Sequence, residues 1–194
     1  MADSVNITWH EHAVPKSERE RIKQHKGALF WLTGLSGSGK STMANRLEQS
    51  LNLKGVHTYL LDGDNIRHGL NKNLTFSDED RFENIRRICE VSRLFVDAGI
   101  VTIATFVSPT EKLRELVRST LKDYANYIVH INTSVEVCEE RDVKGLYKLA
   151  REGKIPNFPG VNMEFETPID VDLSVGNDDF EILEKFVIHQ LDRL

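Results

Sequence analysis

The fold is decided by two adjoining segments, Ala28-Leu-Phe-Trp-Leu-Thr33 and Gly34-Leu-Ser-Gly-Ser-Gly39-Lys40-Ser41. The first is a short apolar run, which is typical of a strand buried on both faces of a parallel sheet. The second is rich in glycine and is followed by Met43 and Leu47 at four-residue spacing, which favours an amphipathic helix. A buried strand, a glycine-rich turn and a helix in this order predict the start of a parallel α/β sheet.

The glycine-rich segment contains a complete G-x-x-x-x-G-K-S pattern between the predicted strand and helix. Its glycines allow backbone N–H groups to wrap around phosphate oxygens, Lys40 neutralises phosphate charge, and the Ser41 hydroxyl ligates Mg²⁺. The alternative is a glycine-rich turn without a ligand. We predict a site for ATP and Mg²⁺ formed by Gly34, Leu35, Ser36, Gly37, Ser38, Gly39, Lys40, Ser41 and Thr42.

The rest of the chain continues the alternation of short β-branched runs with longer amphipathic stretches. Further strands are predicted at residues 57–61, 100–107, 127–131 and 170–175, and helices are predicted to begin near Ser77, Glu111, Thr133 and Phe180. The Ser77-x-x-Asp80 and Thr133-x-x-Glu136 pairs favour helix N-termini there. We therefore predict one α/β domain over residues 1–194, a three-layer fold with a five-stranded parallel sheet flanked by helices.

Composition limits the class of protein. The chain has 25 Lys and Arg against 30 Asp and Glu, and residues 162–194 alone hold nine acidic and two basic side chains. The remaining part is slightly basic, which suits small anionic ligands, but the total charge argues against a nucleic-acid or membrane-surface partner. No apolar run approaches the roughly 20 residues that span a bilayer. The two distant cysteines, together with an N-terminus that lacks targeting features, favour reduced thiols in the cytoplasm.

Two carboxylates follow the second predicted strand, in Asp62-Gly-Asp64. The carboxyl ends of parallel strands lie beside the phosphate-binding turn, so an acceptor hydroxyl is expected there. Phosphoryl transfer needs a group that orients the hydroxyl and a ligand for Mg²⁺. We assign Ser41 and Asp62 to the metal and both aspartates to the catalytic set; which of the two is the base stays open. The alternative is a solvated Asp-Gly turn.

Several cations follow these aspartates. Arg81, Asn84 and Arg87 are spaced so that they share one side of a helix and face an anionic acceptor, although such arginines are more often solvated. The sequence argues against a guanine-nucleotide switch, because Asn71-Lys72-Asn73-Leu74 lacks the aspartate of N-K-x-D.

The phosphate-binding turn and five further motifs together resemble the adenylylsulfate kinase family over roughly residues 5–160. These motifs are Leu61-Asp-Gly-Asp-Asn-Ile-Arg-His-Gly-Leu70, Asp80-Arg-Phe-Glu-Asn-Ile-Arg-Arg-Ile88, Phe106-Val-Ser-Pro109, Cys138-Glu-Glu-Arg-Asp-Val-Lys-Gly-Leu-Tyr147 and Asn157-Phe-Pro-Gly160. The resemblance implies transfer of the γ-phosphoryl group of ATP to the 3′-hydroxyl of adenosine 5′-phosphosulfate (APS). The product would be PAPS, the reaction would need Mg²⁺ and serve sulfate assimilation, and the enzyme would be a homodimer.

The same resemblance assigns residues to the two substrates. It places Asp64, Arg67, Phe76, Arg81, Asn84, Phe106, Ser108, Lys144, Leu146 and Phe158 around APS, and Arg141 near ATP. Phe76 and Phe158 would stack on adenine, while Arg67 and Arg81 would meet the phosphosulfate. With Lys40, Asp62 and Asp64, Ser108 completes the catalytic set. The family's usual description makes this serine a phosphoserine intermediate, whereas in-line transfer would leave it to bind substrate or cap the next helix.

Residues 141–160 lose strand periodicity and are locally basic, which predicts a mobile lid; the alternative is a solvated surface helix. The chain departs from the family at Ser108-Pro109-Thr110-Glu111, where Ser-Pro-Tyr/Phe-Arg is common, although Arg114 is kept. Two other functions stay open: another small-molecule or nucleotide kinase of the same fold, and a nucleotide-sensing module without turnover.

Overall fold

A computed structural model describes residue 8 and residues 10–194. The N-terminal residues behind the argument on targeting, and the start of the family resemblance at residue 5, lie outside this range. The strands are β1 (Ala28–Thr33), β2 (Thr58–Asp62), β3 (Val101–Thr105), β4 (Asn126–Ile131) and β5 (Leu173–Val175). They form a parallel sheet in the order β2-β3-β1-β4-β5. The five-stranded parallel sheet predicted from the sequence is confirmed.

The helices are α1 (Lys16–Lys23), α2 (Lys40–Leu53), α3 (Gly63–His68), α4 (Asp78–Asp97), α5 (Glu111–Thr120), α6 (Val135–Arg141), α7 (Leu146–Arg151) and α8 (Phe180–Asp192). Sequence periodicity did not predict α1, α3 and α7. Each has only six to eight residues, too few for an apolar repeat to be recognised. Asp62 ends β2 and caps helix α3, which begins at Gly63, so the Asp-Gly segment is not a solvated turn.

Alternate residues of β1 point into two separate apolar clusters. Phe30 and Leu32 pack with α2 and α8 on one face, whereas Leu29 and Trp31 pack with α4 and α5 on the other. Burying each such side chain stabilises the fold by about 1.5–3 kcal/mol. Both faces of the central strand are thus covered, which confirms the three-layer arrangement.

Helix ends mostly follow the sequence signals. Ser77 Oγ accepts a hydrogen bond from the Asp80 N–H at the start of α4, as predicted. The N-cap of α6 is Ser134 and not Thr133, so that prediction was wrong by one residue. The Thr133 hydroxyl instead donates to the carbonyl of Ser38 at 2.9 Å, so this side chain is directed to the phosphate-binding turn, while Ser134 Oγ accepts from the Val137 N–H.

This topology brings the carboxyl ends of β1, β2 and β3 together at one edge of the sheet. The phosphate-binding turn follows β1, Asp62 is the last residue of β2 with Asp64 just after it, and Ser108 lies shortly after β3. Cys89 in α4 and Cys138 in α6 are buried free thiols. Of the helices that the structure describes, none has the length and apolar character needed to cross a membrane.

Candidate active site

A cavity of about 400 Å³, the central pocket, lies at the carboxyl edge of the sheet. The predicted site residues that line it are Ser36, Gly37, Gly39, Lys40, Ser41, Thr42, Asp62, Asp64, Arg67, Phe76, Arg81, Asn84, Phe106, Ser108 and Lys144. Residues that are distant in sequence, from the phosphate-binding turn to Lys144 in the 141–160 segment, therefore share one cavity.

The phosphate-binding turn needs glycine at two positions. Gly34 has φ +149°, and a Cβ there would lie 2.6 Å from the carbonyl oxygen of Ile131. Gly39 is left-handed and precedes the first residue of α2. Lys40 is buried, and its Nζ donates to the carbonyls of Gly34 (2.9 Å) and Leu35 (2.7 Å). Burial lowers the pKa of Lys40 to about 8.

Asp62 is held by hydrogen bonds from three directions. Its Oδ2 accepts from Ser41 Oγ at 2.7 Å and from Thr105 Oγ1 at 2.9 Å, and its Oδ1 accepts from the Asp64 N–H at 3.0 Å. Burial by itself raises the pKa of Asp62, but these hydrogen bonds outweigh it, so the pKa lies below its usual value. Asp62 is therefore ionised at neutral pH.

Asp64 stands in a different environment although it is only two residues away. Its side chain is 64% exposed and forms an ion pair with Lys144 of the 141–160 segment. The carboxylate faces the central pocket. Asp64 is thus open to a ligand, whereas Asp62 is turned toward Ser41.

An aromatic ring with two guanidinium groups forms the outer wall of the pocket. The Cζ atoms of Arg67 and Arg81 lie 4.2 and 5.5 Å from the ring centroid of Phe76, which is 57% exposed. Arg81 donates to the carbonyls of Phe76 (3.0 Å) and Asn157 (2.6 Å). Two cations and an exposed ring are therefore presented together to the cavity.

Ser108 follows β3 with a left-handed backbone (φ 35°) and is almost fully buried. Its Oγ accepts from Trp31 Nε1 at 3.1 Å and donates to Thr33 Oγ1 at 2.8 Å, and its carbonyl accepts from Arg114 at 2.9 Å. The alternative that Ser108 caps the next helix is wrong, because the N-cap of α5 is Thr110.

Six predicted residues do not line the pocket. These are Gly34, Leu35, Ser38, Arg141, Leu146 and Phe158. Phe158 is buried and packs edge-on against Tyr147, with centroids 5.0 Å apart at 82°. Stacking on adenine would require Phe158 to leave that contact.

Arg87, grouped with Arg81 by helix spacing, instead binds Glu83 and the loop before α4.

The structure adds lining residues that sequence reasoning missed: Gly63, Ile85, Thr105, Val107, Pro109, Leu113 and Val143. Thr105 is the most informative, since it pairs in register with Asp62 across β2 and β3. The sequence signal for Thr105 is a hydroxyl residue at the end of one strand, where the neighbouring strand ends in aspartate.

The chain is similar in sequence to a known protein family and to several of its members. The family model for adenylylsulphate kinase matches residues 26–176. The adenylyl-sulfate kinase of Vibrio vulnificus (strain YJ016) is 51% identical over 188 residues, covering 96% of this chain and 91% of its own. That of Oceanobacillus iheyensis is 48% identical over 193 residues, covering 98% and 97%.

The fold is also similar to those of solved kinase structures. The Mycobacterium tuberculosis APS kinase in complex with AMPPNP and APS superposes with a TM-score of 0.82 at 40% identity, covering 87% of this chain and 99% of its own. A shikimate kinase from Acinetobacter baumannii, at 14% identity and a TM-score of 0.59, covers 89% of this chain and 98% of its own and shares the fold alone. By its sequence match and its fold, the chain belongs to the adenylylsulphate kinase family and is a kinase.

Proposed function

We propose that this protein transfers the γ-phosphoryl group of ATP to the 3′-hydroxyl of APS, forming PAPS and ADP. One observation carries the proposal: a single pocket has the phosphate-binding turn on one side and Asp64, Arg67, Phe76 and Arg81 on the other. This arrangement supports the binding of a triphosphate and a second anionic nucleotide next to each other, as in-line transfer requires.

On the ATP side, Lys40 is the central cation. Its ammonium group is satisfied by the carbonyls of Gly34 and Leu35, and it exchanges these for phosphate oxygens when ATP binds. A buried cation is weakly screened, so its attraction to the transferring phosphoryl group is strong. Arg141, at the exposed end of α6, is assigned to ATP through the family resemblance.

For Mg²⁺, we assign Ser41 and Asp62. The donor set is a hydroxyl and an ionised carboxylate 2.7 Å apart at the phosphate-binding turn, and such hard oxygen ligands fit Mg²⁺, which also keeps several waters. When bound, the ion neutralises charge on the transferred phosphoryl group. Thr105 positions the Asp62 carboxylate by donating to Oδ2.

Asp64 is the base in this proposal. Its exposed carboxylate faces the pocket and accepts the proton of the attacking 3′-hydroxyl, while Asp62 is occupied by its own hydrogen bonds. Lys144 now pairs with Asp64 and turns to the substrate when APS is present.

The outer wall binds APS. Arg67 and Arg81 meet the phosphosulfate, and the exposed ring of Phe76 stacks on adenine. Asn84 and Phe106 complete the wall on the pocket side. From the lid, Lys144, Leu146 and Phe158 close over APS. Phe158 then leaves its contact with Tyr147 and stacks on the adenine ring of APS.

Ser108 acts as a positioning residue and not as a phosphoryl acceptor. Its hydroxyl proton is donated to Thr33 and its oxygen accepts from Trp31, so its oxygen is not directed at a phosphate. Direct transfer to the ribose hydroxyl needs no second acceptor.

The test is a coupled assay with ATP, Mg²⁺ and APS in which the product is identified as PAPS by mass. ADP formed with a nucleoside monophosphate or a sugar, but not with APS, would favour another kinase of this fold. ATP binding without ADP formation on any acceptor would favour a nucleotide-sensing module. Omitting Mg²⁺ is expected to abolish turnover.

We further propose that residues 141–160 act as a lid, that the enzyme is a homodimer and that it works in the cytoplasm. Protease resistance of the lid should rise when both nucleotides are present, and equal resistance would contradict closure. Light scattering tests the dimer. The buried free thiols Cys89 and Cys138 suit a reducing compartment, and burial raises the pKa of Cys89 to about 12, so this thiol is unreactive.

A further inference from the structure

Behind the outer wall of the pocket, Asn84 is held by a second asparagine. Asn84 lines the pocket from α4 and is 5% exposed. Its Oδ1 accepts a hydrogen bond from Nδ2 of Asn71 at 2.9 Å, and Asn71 is fully buried in the loop before α4. An amide side chain presents an oxygen on one side and an NH₂ group on the other, so its orientation decides what a ligand meets.

Arg87 sets that orientation. Its Nη1 donates to Asn71 Oδ1 (3.4 Å), to the Leu70 carbonyl (3.2 Å) and to Asn73 Oδ1 (2.9 Å), while its Nε donates to Glu83 at 2.8 Å. Arginine has donors only. Asn71 must therefore turn its oxygen to Arg87 and its NH₂ group to Asn84, and Asn84 must turn its oxygen to Asn71.

The consequence is a free NH₂ group on the pocket side. Within the part of the chain that the structure describes, no acceptor contacts Asn84 Nδ2. The neighbouring polar groups of this wall, Arg67 and Arg81, are also donors only. Asn84 Nδ2, Arg67 and Arg81 thus offer hydrogen atoms alone, so this part of the wall suits a ligand that presents acceptors.

We infer that Asn71 and Arg87 are positioning residues that fix the Asn84 amide as a donor to an acceptor atom of the sulfate-bearing nucleotide. The inference rests on the proposed function and assigns a role to two residues that do not line the pocket. The phosphosulfate oxygens and the N1, N3 and N7 atoms of adenine are all acceptors, so a reversed amide would place oxygen against any of these acceptors.

Asn71→Asp tests the polarity. Aspartate accepts but does not donate, so Asn84 must reverse to give its NH₂ group to residue 71 and then presents oxygen to the pocket. The Arg87 guanidinium lies beside the new charge. We expect KM for APS to rise about tenfold or more, while KM for ATP stays close to wild type.

Arg87→Met provides a second, independent variant. It removes the donor that orients Asn71, so both amides can turn over, and KM for APS should rise about threefold to tenfold. Asn73→Ala is the matched control, because it removes another acceptor of Arg87 without touching the contact between Asn71 and Asn84. It should leave both KM values unchanged.

An unchanged KM for APS in Asn71→Asp, or a parallel rise in both KM values, would overturn the inference. If Asn71→Asp does not fold, Arg87→Met decides by the same criterion. Wild-type protein that does not convert APS would instead defeat the proposed function, so the two failures are distinguishable.

Discussion

The inner and outer walls of the central pocket differ in how their polar and charged groups are held. On the inner wall, Lys40, Asp62 and Ser108 are buried or half-buried, and each makes several hydrogen bonds to neighbouring strands or turns. On the outer wall, the Asp64 and Lys144 side chains are 64% and 54% exposed and pair with each other across the chain.

This difference separates two tasks. Groups held by the sheet are ready before the substrate arrives, so they lose little freedom when charge develops. Asp64 on α3 and Lys144 in the 141–160 segment are exposed and can exchange partners, which an acceptor nucleotide needs in order to enter and leave. Substitutions on the inner wall should therefore mainly lower the free energy of unfolding, whereas substitutions on the outer wall should mainly lower turnover.

The largest effect is expected from Asp64→Ala on the outer wall. Loss of the base should lower turnover by about 10²- to 10⁴-fold while ATP still binds, because Asp64 is not part of the phosphate-binding turn. Turnover from the coupled assay and ATP affinity from a binding titration test this. Glu79→Ala, an exposed carboxylate in the first turn of α4, is the control. Turnover within threefold of wild type would remove Asp64 from the catalytic set.

Arg114→Met sharpens the comparison from the inner side. Arg114 is 1% exposed, pairs with Glu111 at 2.7 Å and donates to the carbonyl of Ser108. Its loss leaves Glu111 and this carbonyl without their donor, so the free energy of unfolding should fall by about 3 kcal/mol. Urea unfolding measures it. Lys144→Met, which breaks an exposed pair, should cost less than about 1 kcal/mol. Equal losses would mean that the two walls are held alike.

Arg81→Gln separates the substrates. Removing the charge should raise KM for APS by about tenfold to hundredfold, since a hydrogen bond to a charged group contributes about 1.5–3 kcal/mol. KM for ATP should change less. Arg86→Gln is the matched control on the same helix, since Arg86 binds Glu83 and does not line the pocket. A larger rise in KM for ATP than in KM for APS would contradict the assignment of Arg81 to APS.

The smallest effect concerns pH and the inner wall. Burial lowers the pKa of Lys40 to about 8 in the free protein, and bound phosphates favour its charged form. ATP binding should therefore take up protons near pH 8, and ATP affinity should fall by about tenfold between pH 7 and pH 9. Calorimetry in buffers of different ionisation enthalpy measures the uptake. An affinity that rises with pH would contradict it, and Lys72→Met should not alter the profile.

Much of the inner wall could be predicted because its signals are local. The phosphate-binding turn lies between a strand and a helix in one continuous segment, and Asp62 directly ends a strand. The outer wall depends on contacts between distant segments. Arg87 was expected to face the pocket from its spacing with Arg81, yet it binds the loop before α4 and orients Asn71 instead.

The amino-acid sequence by itself determined the parallel α/β fold, the phosphate-binding turn and the family, because these depend on apolar periodicity and on short motifs with a fixed local geometry. Tertiary structure alone decided that Asp62 is held by Ser41 and Thr105 while Asp64 stays exposed. It also decided which face of Asn84 meets the pocket. Strand order and side-chain burial set those contacts, and neither can be obtained from spacing along the chain.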